Sequence, residues 1–160
     1  MSALVSAGSF RRRLLERTIE DVLFAYPYLV SPGLSRPERQ EVLGKNSRSD
    51  LAFYEGKQAT VVEIKRNAAG LPALRQLERY VKEKTRQGFE AKGILVAASF
   101  TPSTLKAAAK SKGRLACRRL HDEVPVEITI CKKCRKARDR RIAACPDDKS
   151  RETLGTPGRA

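Results

Sequence analysis

The run Ala59-Thr60-Val61-Val62-Glu63-Ile64-Lys65 constrains this chain more than any other. Its β-branched residues fit a strand, and strand side chains alternate, so Glu63 and Lys65 share one face while Val62 and Ile64 share the other. A charged pair therefore interrupts a strand whose opposite face is apolar. Before it, Asp50-Leu51-Ala52-Phe53-Tyr54 is a second β-rich run, and Glu55-Gly56-Lys57-Gln58 joins the two as a glycine-containing turn. The expected hairpin brings Asp50 back towards Glu63.

Two carboxylates brought together repel unless a cation lies between them. Mg2+ or Mn2+, hard and oxygen-seeking, meets that condition, and the backbone carbonyl of Ile64 would complete the protein ligands. Such a metal would activate water and neutralise charge developing on a phosphodiester, while Lys65 would orient the attacking hydroxide or stabilise the transition-state charge. The same spacing also suits an ordinary charged hairpin face, because an E-x-K triplet by itself is a weak signal.

The rest of the chain supplies a scaffold. From Leu14 to Tyr26, Leu15, Ile19, Val22 and Tyr26 recur at helical spacing, and the helix should end before Pro27. Residues 31 to 41, with two prolines and a glycine, read as a connecting loop. Leu74, Leu77 and Val81 mark a helix reaching about Gln87 and stopped by Gly88. Gly93 to Ala98 suits a buried strand, Thr101-Pro102 opens a further helix, and Arg114 to Leu120 reads as a last strand. The expected class is α/β, a mixed central sheet flanked by helices. Residues 1–125 form the expected catalytic domain, and 126–160 a basic, cysteine-containing C-terminal extension in which Val126 to Ile130 adds an edge strand. Residues 131–160 have almost no large apolar residues and should be mobile unless a metal ties them down.

The 33 Lys and Arg against 18 Asp and Glu leave a net charge of +15, which favours polyanions. DNA is the expected partner, although a passive nucleic-acid-binding protein would carry the same charge. No apolar stretch is long enough to cross a bilayer, and apolar residues precede Arg11-Arg12-Arg13, the reverse of a secretory signal. The expected location is cytoplasmic and nucleoid-associated.

Arg48-Ser49-Asp50-Leu51-Ala52, then VVEIKR at 61–66, Gln76-Leu77-Glu78-Arg79-Tyr80-Val81 and Gly93-Ile94-Leu95-Val96-Ala97 together resemble the PD-(D/E)XK nuclease superfamily. More narrowly, they resemble the catalytic domain of the NucS (EndoMS) branch, whose members cut mismatched or branched DNA. The resemblance covers roughly residues 14 to 120. It implies a PD-(D/E)XK core in which Asp50 and Glu63 hold the metal, Lys65 is the catalytic lysine and an acid of the first helix is a further metal or water ligand. Glu16, eleven residues before Pro27, matches that acid's place, with Glu20 one turn on in reserve. Gln76 and Tyr80, four apart on one helix line, would face the metal site or the DNA; Tyr80 also suits a half-buried core aromatic. Ser49 stands where the superfamily's name implies proline. The NucS-type enzymes also carry a separate N-terminal DNA-binding and dimerisation domain, whereas this chain begins almost at the first helix.

Arg75, Arg79, Lys82 and Arg86 draw a basic stripe along one helix, and Arg48 is a second phosphate-binding candidate. Cys131-Lys132-Lys133-Cys134 is half of a zinc site, which Cys145 and either Cys117 or His121 would complete as a structural Zn2+ centre; the other reading is a set of ordinary thiols in a basic tail. Outside the nuclease reading stands a non-catalytic nucleic-acid-binding protein. Within it, a Holliday-junction resolvase or a restriction-type endonuclease would use the same carboxylates. Cutting both strands implies a homodimer, and a separate partner would serve substrate targeting.

Overall fold

The computed structural model describes residues 4–6, 16–39, 50–119, 125–139 and 141–154. In chain order the elements begin with β1 (Leu4–Ser6), α1 (Glu16–Ala25), a 3-10 turn (Pro27–Leu29), β2 (Pro37–Arg39), β3 (Leu51–Glu55), β4 (Gln58–Ile64) and β5 (Ala68–Ala69). They continue with α2 (Leu71–Arg86), β6 (Glu90–Ala97), β7 (Ser99–Phe100), α3 (Pro102–Lys110), β8 (Leu115–Arg119), β9 (Pro125–Ile130) and β10 (Ala137–Asp139). The chain divides into two compact units, Pro27–Leu120 and a second made of Met1–Tyr26 with His121–Ala160.

The first unit is a five-stranded mixed sheet in the order β2-β3-β4-β6-β8. β3 and β4 form the expected hairpin, with Glu55 opposite Gln58. Gly56, the first of the two loop residues, has φ of 56°, the left-handed value that such a tight turn demands and that glycine adopts at no steric cost. β6 runs parallel to both β4 and β8. Register and alternation turn Ala59, Val61 and Glu63 of β4 and Gly93, Leu95 and Ala97 of β6 to one face. Against Val61, Leu95 and Ala97 pack Leu74, Leu77, Tyr80 and Val81 of α2. Gly93 sits where the helix comes closest: a Cβ there would lie 2.8 Å from Leu77 Cγ and Val81 Cγ2. α3 begins at Pro102 behind Thr101, whose side chain accepts from the Thr104 N–H and caps the helix.

Two expectations change here. The segment 31–41 is not all loop, because Pro37–Arg39 pairs with β3 as an edge strand, where a proline at the first position costs no ladder bond. β6 begins at Glu90, three residues ahead of the apolar run, since pairing with Gln58 through Thr60 extends it.

In the second unit β9 lies between β1 and β10, antiparallel to both, so it is the centre of its own three-stranded sheet rather than an edge strand. α1 packs beside β10. The buried Asp21 of α1 accepts a hydrogen bond from the Ala137 N–H at 2.8 Å. The compact units therefore do not follow the expected boundary at 125: strand pairing and this buried bond join the N-terminal segment to the C-terminal one. Nor is the tail without a packed centre, for Cys131, Ala137, Arg138 and Cys145 are all buried.

Candidate active site

The carboxylates and the lysine meet at the C-terminal end of β4. Leu51 pairs with Val62, so one step further along the ladder Asp50 stands opposite Glu63, on the same face. Asp50 is fixed there by the Ile64 N–H, which donates to its Oδ2 at 2.7 Å. In a strand the N–H and C=O of one residue point to the same edge, so the Ile64 carbonyl is directed to the edge where Asp50 sits. On the other edge the Lys65 N–H donates to the Val96 carbonyl at 2.9 Å, which continues the parallel ladder and holds the end of β4 rigid. Lys65 Nζ lies 3.0 Å from Glu63 Oε1.

Glu63 is only 3% exposed, an expensive place for a carboxylate. Its Oε1 has the lysine, and its Oε2 is buried and makes no hydrogen bond. A divalent cation fits this donor set: carboxylate oxygens from Asp50 and Glu63 and a backbone carbonyl are all hard oxygen ligands.

α2 closes the site from the same face. Gln76 Nε2 donates to the Tyr80 hydroxyl at 2.5 Å. Tyr80 is buried, and that burial, reinforced by the charges of Glu63 and Asp50 and opposed by the Gln76 hydrogen bond and by Lys65, raises its pKa. The phenol therefore stays protonated and, having accepted from Gln76, keeps its own proton to donate. Burial makes Tyr80 a core residue, one that the charges of Asp50, Glu63 and Lys65 reach.

The first-helix acids separate by burial. Glu16 is exposed in the first turn, whereas Glu20 is 5% exposed. Burial thus distinguishes two acids that lie on nearly the same line of α1. Arg48 and His121 lie outside the described residues.

Arg75, Arg79, Lys82 and Arg86 are exposed along α2. Acids on the same helix temper the stripe: Arg86 pairs with Glu83 at 2.8 Å, and Lys82 lies 3.7 Å from Glu78. A cavity of about 560 Å3 opens on the sheet's other face around Thr60, Ile94 and Ala116, and its lining does not include Glu63 or Lys65. Lys84, hidden in the sequence among surface charges, is 2% exposed, with its ammonium 5.1 Å from the Tyr54 ring centre and 5.3 Å from that of Phe89. Its one sequence signal was its spacing of three from Val81, within the apolar stripe.

The cysteines divide. Cys117 lies on β8 against the core of the first unit, where burial pushes its thiol pKa up. It is not in the cluster of Cys131, Cys134 and Cys145, whose fourth member is Asp148.

A mixed α/β sheet with helices on it, bearing two acids and a lysine at one strand end, defines the class. Residues 15–139 match the endonuclease NucS C-terminal domain, and the chain belongs to that family. Endonuclease NucS of Methanopyrus kandleri is 36% identical over 88 residues, 54% of this chain and 34% of that protein. Endonuclease NucS of Thermococcus kodakarensis is 32% identical over 87 residues, again 54% and 34%. A repair endonuclease from Pyrococcus abyssi superposes with a TM-score of 0.59 at 28% identity, over 68% of this chain and 48% of that one. A complex of EndoMS with dsDNA gives a TM-score of 0.57 at 25% identity, over 76% and 48%. The chain thus spans about a third of the curated relatives and about half of these structures. Among the described residues, no helix is long and apolar enough to cross a membrane.

Proposed function

We propose that this chain carries the catalytic site of a metal-dependent DNA endonuclease with a PD-(D/E)XK core. The observation that supports it most is the gathering of Asp50, Glu63 and Lys65 at one end of β4, the acids facing each other across the ladder, with Tyr80 and Gln76 beside them. Membership of the NucS C-terminal domain family and the likeness to a DNA-bound EndoMS support the substrate class.

Asp50, Glu63 and the Ile64 carbonyl would hold Mg2+ or Mn2+, which when bound supplies Lewis-acid polarisation of the phosphate and a lowered pKa for its water. Asp50 is held in place by the Ile64 N–H, so the ligand does not have to be ordered on binding. The Lys65 ammonium, 3.0 Å from Glu63 and partly exposed, would orient the attacking water and offset charge on the scissile phosphate. The Tyr80 hydroxyl donates towards the same charge, with Gln76 fixing its orientation. Arg75 and Arg79 would follow the DNA backbone, with Arg48, Lys82 and Arg86 as further phosphate contacts, and mismatched or branched DNA in repair or recombination is the substrate class we favour. Cleavage of both strands would use a homodimer.

The test is incubation with Mg2+ or Mn2+ and a panel of linear, mismatched, flapped and four-way DNA substrates, alongside Glu63→Ala and Asp50→Ala. Metal-dependent cleavage lost in both variants, with DNA binding largely retained, is expected. Binding without cleavage by the unaltered protein would instead point to a passive nucleic-acid-binding protein. Arg79→Ala is expected to weaken binding evenly across sequences and to reduce the salt slope by about one phosphate contact.

A further inference from the structure

The C-terminal segment builds the same turn twice. In the first, the Arg135 N–H donates to the Cys131 carbonyl at 3.0 Å, the Cys131 N–H donates to the Lys136 carbonyl at 2.9 Å, and Arg135 has φ of 64°. In the second, the Lys149 N–H donates to the Cys145 carbonyl at 2.9 Å, the Cys145 N–H donates to the Ser150 carbonyl at 2.7 Å, and Lys149 has φ of 63°. Positions 1, 4, 5 and 6 of the two turns therefore correspond one to one. Cys131 and Cys134 occupy positions 1 and 4 of the first; Cys145 and Asp148 occupy them in the second. Each turn holds a long basic residue in the left-handed region, a strained conformation that persists only where its surroundings require it.

The two turns face each other. The ligating atoms of Cys131, Cys134, Cys145 and Asp148 all lie within 4.8 Å of one another. Zinc bonds of about 2.3 Å to sulfur and about 2.0 Å to oxygen set tetrahedral edges of about 3.8 Å between two sulfurs and about 3.5 Å between sulfur and oxygen. Cys134 Sγ and Cys145 Sγ are 3.6 Å apart, and Cys131 Sγ is 3.3 Å from Asp148 Oδ2. Backbone pairing joins the turns as well: Cys131 bridges Thr153, the Lys132 N–H donates to the Glu152 carbonyl and the Leu154 N–H to the Ile130 carbonyl.

We propose that Cys131, Cys134, Cys145 and Asp148 form a tetrahedral zinc site, closed by four protein ligands and therefore structural rather than catalytic. Asp148 stands where a second Cys-x-x-Cys would have its last cysteine, which is why a search for cysteines alone does not find the fourth ligand. Three thiolates and a carboxylate around Zn2+ leave an excess of negative charge, and the neighbouring Lys132, Lys133, Arg135, Lys136, Lys149 and Arg151 offset it. Cys145 and Asp148 lie beyond the residues that match the NucS C-terminal domain, so the site adds to the family fold and does not depend on the nuclease reading.

The test is elemental analysis of the full chain, purified without a histidine tag and under reducing conditions, followed by replacement with Co2+. One zinc per chain is expected, with a cobalt form showing tetrahedral ligand-field bands and thiolate-to-cobalt charge transfer, a signature that metal on Asp50 and Glu63 would not give. Asp148→Cys should keep the metal and raise the charge-transfer intensity by about a third, as a fourth thiolate joins three. Asp148→Ala should weaken zinc binding on the order of 100-fold, since even loss of a group supporting a ligand costs 10–100-fold. Substoichiometric zinc together with full reactivity of the Cys131, Cys134 and Cys145 thiols in the folded protein would overturn the proposal. So would a Cys134–Cys145 disulfide recovered from the reduced preparation. Both readouts use the unaltered protein, so they stand even if a variant fails to fold.

Discussion

In Pro27–Leu120 the side chains that close the sheet against α2 are aliphatic and aromatic, Val61, Leu74, Leu77, Tyr80, Val81 and Leu95, whereas among the described residues those buried between Thr129 and Cys145 are two thiols, an alanine, a threonine and an arginine. Arg138 there is bound rather than greased: its Nε donates to the Ile142 carbonyl at 2.9 Å and its Nη2 to the Ala143 carbonyl at 3.4 Å. The first region gains stability from apolar area removed from water, at about 25 cal/mol per Å2. The stretch from Thr129 to Cys145 adds little such area of its own and relies on directional bonds, while α1 of the same unit carries the buried Ile19, Val22 and Leu23. In the first region the buried Glu63 lies at the candidate site and the buried Lys84 against two aromatic rings, whereas in the second the buried Arg138 ties down backbone carbonyls.

Variants in each region sharpen that contrast. The largest effect should come from Glu63→Gln, which keeps the shape and removes the charge: cleavage should fall on the order of 1000-fold or more, while the zinc content stays unchanged. A parallel loss of zinc would merge two sites that we hold to be separate. Leu77→Ala, in the centre of the apolar core, should lower unfolding free energy by about 3 kcal/mol in a denaturant titration, and a loss below about 1 kcal/mol would show that the helix face is not what holds the sheet. Asp21→Ala strips the buried Ala137 N–H of its acceptor, at about 2 kcal/mol, seen as faster hydrogen exchange at that amide; unchanged protection would remove directional bonding from the account of the second region. Thr101→Ala, which deletes the cap of α3, should cost about 1 kcal/mol, the smallest of the set.

The hairpin, α2, α3 and the strand after α2 were legible because each is written locally: Gly56 at the turn, Leu74, Leu77 and Val81 at helical spacing, Thr101-Pro102 at a helix start. The meeting of the two acids of the candidate site was legible to the same extent, since a two-residue hairpin leaves one register and that register puts Asp50 opposite Glu63. β2 was not, because Pro37-Glu38-Arg39 has no strand character of its own and is ordered by β3. Glu20 and Glu16 lie on nearly the same helical line, so spacing could not tell which is buried. Asp148 carries no sign as a metal ligand until the turn around it is compared with that of Cys131.

By itself the sequence determined the β3–β4 hairpin, α2, α3, the shared face of Glu63 and Lys65 and the nearness of Asp50, because alternation and turn length act over a few residues. Only the tertiary structure decided that Asp21 meets Ala137, 116 positions away, that β9 centres a sheet of its own, and that Asp148 completes a group with three cysteines. Such pairings depend on which distant backbone arrives, and no local periodicity encodes that. The strand with two charges was readable at once; the four-ligand cluster existed only after the chain had folded back on itself.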